Sequence, residues 1–249
     1  LYGIPVALDW QLALLFAIVF LAGIIRGFAG FGSALLAVPA LAVLYGPAQA
    51  VVIEVLLEIP VTLGLLPIAV RDAERRTVLP MLAMFVLFVP LGALLLKAVD
   101  PQLMKVGLSI LVLIMVAIMA QQERLASFLS QKAILFAGAL SGIAQGMTGM
   151  AGPLFVTALL ARGEDVTLTR ANIIALAGGL ITISVISFWA VGLMHLQTVI
   201  YAALATPAIM LGVWTGSQLF QRMPHWNLRG IILVILAVTA VVTLGRTVM

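Results

Sequence analysis

The sequence contains no cysteine, so disulfides, thiolate metal sites and cysteine nucleophiles are excluded. Histidine is almost as scarce. His195 and His225 are the only two, too few and too far apart to build a zinc or haem cluster. Charge is sparse for a chain of 249 residues: Asp, Glu, Lys and Arg together make up 9%, where soluble domains carry about 25%. A globule of this size cannot stay dispersed with so few charges, which excludes a water-soluble enzyme. Disorder is excluded too, because 64% of the residues are hydrophobic and disordered chains are poor in such residues.

A polytopic, all-α membrane protein is what remains. At roughly 20 residues per span, the chain has room for about eight to ten transmembrane segments. The apolar runs are Trp10–Ile25, Ser33–Leu44, Ala48–Val70, Val78–Leu96, Leu103–Ala120, Ala133–Gln145, Pro153–Leu160, Leu168–Val191, Gln197–Phe220 and Leu228–Leu244. The second and seventh are too short to cross a core about 30 Å thick. Each follows a Gly-rich corner, which predicts broken or re-entrant helices there. The first run has no basic stretch before it and further spans follow, so it reads as a span and not as a cleavable signal.

The two corners belong to an internal repeat. Arg26-Gly27-Phe28-Ala29-Gly30-Phe31-Gly32-Ser33 aligns with Gln145-Gly146-Met147-Thr148-Gly149-Met150-Ala151-Gly152, at an offset of 119 residues. Gly92, Pro101 and Gly107 are echoed by Gly216, Pro224 and Gly230. The expected organisation is two membrane repeats, 1–124 and 125–249, of about five segments each. An odd number of crossings inverts the second copy relative to the first, which is the pattern of secondary transporters.

Basic residues number 13 against 9 acidic ones. They stand singly at segment ends, as topology signals do, so no nucleic-acid partner is expected. Arg71, Arg75, Arg76, Arg124, Lys132, Arg162, Arg170, Arg222 and Arg229 fall on one side, and Lys97, Lys105 and Arg246 on the other. That bias marks the first side as cytoplasmic.

Gly27, Gly30 and Gly32 imitate a dinucleotide loop, but no strand precedes them and no acidic partner follows. Two readings remain: close helix packing through small residues, or a helix break offering backbone N–H groups to an anion. On the second reading, half-helices starting near Ser33 and near Gly152–Pro153 form an anion cradle, with Gly149 at the second corner and Thr148 beside it. Arg26 is the candidate cation of that cradle, or an arginine snorkelling to headgroups. Gln145 is its neutral counterpart. Glu54 and Glu58 lie one turn apart in the third run, Glu58 the deeper by position. They are candidates for carrying a coupling proton or for pairing with Arg26. Their repeat counterparts are Ile173 and Ala177. Asn172 is a candidate substrate donor, or a helix cap or bridge. No metal, cofactor or ATP site and no reactive constellation is expected, so the chain does not read as an enzyme.

Gly27, Gly30, Gly32 and Pro39, within Gly27–Pro39, together with the looser second copy at Gln145–Pro153 and the Gly46–Ala48 turn, resemble the TauE/SafE family of sulfite and organosulfonate permeases. The resemblance covers both halves. It implies a multi-pass protein of a prokaryotic inner or plasma membrane, in contact with lipid. It further implies a secondary transporter, expected to export a small anion such as sulfite or sulfoacetate by alternating access, with protons as candidate coupling ions and a homo-oligomer as a possible assembly. The rival readings are an anion channel or uniporter and a non-transporting membrane assembly protein.

Overall fold

The computed structural model describes residues 10–29, 32–64, 66–120, 131–160 and 162–222. Within them every regular element is an α-helix. The order is α1 (Trp10–Ala29), α2 (Ser33–Tyr45), α3 (Pro47–Leu63), α4 (Leu66–Asp72), α5 (Arg75–Ala98) and α6 (Pro101–Ala120), then α7 (Gln131–Thr148), α8 (Gly152–Leu160), α9 (Val166–Val191) and α10 (Leu196–Arg222). Helices are the expected outcome, since inside a hydrocarbon layer each backbone N–H and C=O must find its partner within the segment. Five of the ten, α1, α5, α6, α9 and α10, are long and apolar enough to cross a membrane. The run expected over Ala48–Val70 is divided after Gly64 into α3 and α4. Gly30, the run Leu228–Leu244, and with it Arg229, Gly230 and Arg246, lie outside the described residues, as do Arg124, Pro224 and His225.

Side-chain contacts fix the helix directions. At one end the Glu74 N–H, just before α5, donates to Asn172 Oδ1 at 2.7 Å, near the start of α9. At the other end Lys97 Nζ donates to the Val191 carbonyl at 2.7 Å. The helices α5 and α9 are therefore parallel, and α10 returns. Its Arg222 end comes back to the face that carries Arg71, Arg75, Arg76, Arg162 and Arg170. Tyr45, ending α2, donates to the Gln11 carbonyl near the start of α1, and its ring lies 5.1 Å from that of Tyr201 near the start of α10. So α2 doubles back along α1. Trp10 and Trp189 stand exposed toward this second face, where amphipathic rings sit at a membrane boundary.

Two helix pairs make the closest approaches. On α1 and α10, Gly23 and Gly27 oppose Gly212, Val213 and Gly216; a methyl group on Gly27 would strike the Val213 carbonyl oxygen. On α5 and α7, Gly92 opposes Ile143, Gly146 and Met147, Gly142 opposes Phe88 and Val89, and a methyl group on Gly146 would strike the Val89 carbonyl oxygen. Lipid tails are as apolar as leucine, so membrane helices associate through such backbone proximity and dispersion. In both pairs contact order rises together along the two chains, so each pair is parallel. Thus α1 packs on α10, and α7 on α5.

The first corner lies inside this slab. Ser217 donates to the Gly27 carbonyl at 3.3 Å, and α10 runs on from Ser217 to Arg222. At about 1.5 Å per residue that is about 7 Å more helix on one side, and back to Tyr201 about 24 Å on the other. The second corner, level with Gly92, lies about 9 Å short of Ala98 by the same measure.

Glycine at these contacts is a steric requirement. Gly27→Leu and Gly146→Leu are expected to cost about 1–3 kcal/mol each through overpacking, read as a lowered Tm of the detergent-solubilised protein. Gly107 on α6 has nothing within 4 Å of an added methyl group, so Gly107→Ala is expected to be neutral or stabilising.

Candidate functional site

The corners are built by backbone conformation. Gly32 has φ 98° and Gly149 has φ 71°, left-handed values that side chains with a Cβ disfavour. Gly149 directly follows the last residue of α7, and Gly32 directly precedes the first residue of α2. The next helix then starts inside the protein, at Ser33 and at Gly152. Both new N-termini line one cavity of about 300 Å³, with Ser33, Ala34 and Leu35 from α2 and Gly152 and Pro153 from α8 in its wall. Helix N-termini carry partial positive charge and unsatisfied N–H groups, so a cavity between two of them favours an anion.

Arg26, Gly27, Gly32, Ser33, Gln145 and Gly149 are brought together around this cavity. Glu58 joins them from α3. Its carboxylate receives Arg26 at 2.8 Å and the Ser33 hydroxyl at 2.6 Å. The Arg26 charge is thereby balanced at close range by a charge-assisted contact. Gly27 serves both of its readings, since it seats α1 against α10 and lines the cavity. Gln145 accepts from the Ala151 N–H through Oε1 at 3.3 Å; its other amide end is a donor.

Other candidates are placed elsewhere. Glu54 is 1% exposed and the Glu58 side chain 14%, so Glu54 is the more buried of the two. Neither oxygen of Glu54 has a hydrogen-bond partner, and the cavity wall is formed by Glu58 alone of the two. Thr148 is buried and donates to the Ala144 carbonyl of its own helix at 2.6 Å. Asn172 bridges elements instead of lining the cavity. Its Oδ1 holds the Glu74 N–H and its Nδ2 reaches Glu164 Oε2 at 3.5 Å. Arg162 completes this network, with Nε 2.5 Å from Glu164 and NH2 3.5 Å from Glu74, while Thr77 bonds the same Glu74 carboxylate. Together they tie the loop before α9 to the loop before α5. His195 is exposed just before α10.

Sequence reasoning missed Arg170, Ser217 and the apolar wall of the cavity. Arg170, Ile173, Ile174, Ala177 and Ile181 form one stripe of α9 along it. The signal was available: their spacing is that of one helix face, and Ala177 is the repeat counterpart of Glu58. Among the described residues no cluster of three or more His, Asp or Glu is placed to hold a metal.

Fold and cavity together define a class: a multi-pass helical membrane protein with a cationic chamber between broken helices. The family model for the sulfite exporter TauE/SafE matches residues 15–243, and the chain belongs to that family. Membership makes it a membrane transporter of small anions, in a family of transporters and not of enzymes. No curated protein and no solved structure matches the chain.

The placement of Asn172 separates a bridging role from a binding one. Asn172→Ala strands the Glu74 N–H and is expected to cost about 1–3 kcal/mol, seen as a fall in Tm, while stabilisation by added anions is retained. An unchanged Tm with a lost anion response would return Asn172 to the binding site.

Proposed function

We propose that the chain is a secondary transporter that exports a small sulfur oxyanion or organosulfonate. The observation that carries this reading is the shared cavity, into which two interior helix N-termini and the Arg26–Glu58–Ser33 cluster converge. Its apolar side, Phe155, Val156 and the α9 stripe, suits the hydrocarbon part of an organosulfonate better than a bare oxyanion.

The steps follow from the contacts. The substrate anion competes with Glu58 for Arg26, because both offer oxygens to the same guanidinium. Exchange releases Glu58, and an isolated carboxylate in an apolar slab is costly, so a proton taken up there stabilises the anion-bound form. That couples the substrate to protons through Glu58, with Glu54 one turn away in reserve. Arg170, on the basic face, lines the same cavity, which supports loading from the cytoplasmic side and therefore export.

Alternating access between two inverted halves, 1–124 and 125–249, is supported by the reciprocal packing. Because α1 pairs in parallel with α10 and α5 with α7, the opening helices of the halves run in opposite directions. Rocking one half on the other would move the two corners relative to each other. Lipid surrounds the exposed Leu, Phe and Trp side chains, and a homo-oligomer is a further part of this reading.

Proteoliposomes test it. Sulfite, sulfoacetate or methanesulfonate flux is expected to saturate and to respond to a pH gradient. Arg26→Ala is expected to lower it by about ten- to a hundredfold. Glu58→Gln is expected to retain flux but lose the response to the gradient. Saturable flux that ignores the gradient in the wild type would favour the uniporter, and no anion flux in any condition would sink transport.

A further inference from the structure

Two guanidinium groups line the cavity, and their situations differ. Arg26 is ion-paired to Glu58. Arg170 stands one turn into α9, partly exposed at the basic face, and among the described residues no carboxylate lies within ion-pair distance of it. The acids nearby are committed elsewhere: Glu74 and Glu164 to Arg162, and Asp165 to the Thr167 and Leu168 N–H groups that it caps. The repeat counterpart of Arg170 is Val51, fully buried in α3, so the first half supplies no equivalent.

We propose that Arg170 is the receiving residue for the transported anion and sets its valence. Among the described residues, the formal charges on the cavity wall are Arg26, Glu58 and Arg170, leaving one positive charge in excess. A singly charged anion balances it. A doubly charged one is balanced only after Glu58 is neutralised or displaced. The anion meets Arg170 first, because that charge is exposed and unpaired, and reaches Arg26 by exchange with Glu58. The methylene stem of Arg170 continues into Ile173, Ile174 and Ala177, so a head bound there has apolar wall beside it for a short organic tail. The inference rests on the transport reading for its meaning, but it concerns binding and is tested as binding.

The probes are methanesulfonate, a monoanion, and ethane-1,2-disulfonate, a dianion of similar chemistry. Their affinity for the intact chain in detergent micelles is measured by calorimetry, with ligand-induced Tm shift as a second readout. Wild type is expected to favour the monoanion. Arg170→Gln is expected to weaken methanesulfonate about tenfold, and Arg170→Lys to restore much of it. Arg76→Gln, on the same face but outside the cavity, is expected to change nothing. Glu58→Gln is expected to narrow or reverse the preference, since it adds a second unbalanced charge. Unchanged affinity in Arg170→Gln, or a wild-type preference for the dianion, overturns the proposal. Arg170-dependent binding without flux in proteoliposomes would overturn transport and leave Arg170 in place. Flux with an Arg170→Gln variant of wild-type affinity would do the reverse.

Discussion

A helix can stop inside an apolar layer only where something polar meets the groups that the break sets free. That constraint organises this protein. The helices α1 and α7 end at Ala29 and Thr148, left-handed Gly32 and Gly149 stand between them and the next starts, and the helices that follow start with N–H groups in the interior. Loops facing lipid could not supply partners for them. The two breaks are therefore turned toward each other and toward one cavity. The Gln145–Ala151 bond meets one such group, and the Arg26–Glu58–Ser33 cluster stands beside the other helix start, which no side chain caps.

Turning the breaks inward requires the flanking helices to come close, and glycine makes that possible. Gly23, Gly27, Gly212 and Gly216 bring α1 onto α10, and Gly92, Gly142 and Gly146 bring α5 onto α7. Gly27 sits five residues before left-handed Gly32 and Gly146 three before left-handed Gly149, so the packing contact and the break are nearly the same stretch of chain. A displacement of one helix pair is then transmitted directly to the cavity wall. Side-chain packing would cushion such a movement; backbone against backbone leaves little slack.

The sequence made the architecture legible because in membranes length and polarity are nearly decisive. Runs too short to span, beside repeated glycines, located both corners. A guanidinium in an apolar chain marked Arg26, and the one-turn spacing put Glu58 within its reach. What stayed illegible was anything decided by a distant neighbour. Asn172 reads as a substrate donor until the backbone of Glu74, 98 positions away, is found on its amide oxygen. Glu54 and Glu58 share a helix, and only the helices packed around α3 decide which is enclosed. Arg170 was counted as a topology charge. Its position at the head of the stripe through Ala177 shows only when α9 is seen against α2 and α8.

The two corners carry different chemistry, and in the transport reading proposed above the difference has a functional consequence. At the second corner a neutral amide oxygen, Gln145 Oε1, holds the Ala151 N–H. A passing anion gains nothing by replacing it there, because the partner is a weak dipole. At the first corner no side chain caps the start of α2; the Glu58 carboxylate holds the Arg26 guanidinium and the Ser33 hydroxyl instead. A sulfonate offers Arg26 the same charge and similar oxygens, so substitution at that site costs little Coulomb energy. Glu58 then loses its partner, and Ser33 at the head of α2 loses an acceptor or follows Glu58. Substrate arrival thus acts on the α1–α2 corner and leaves the α7–α8 corner fixed. A symmetric site would load both corners alike and hand the anion equal reason to stay on either side. In the proposed cycle, one exchangeable corner and one fixed corner would direct the binding energy of the anion into the α1–α2 side.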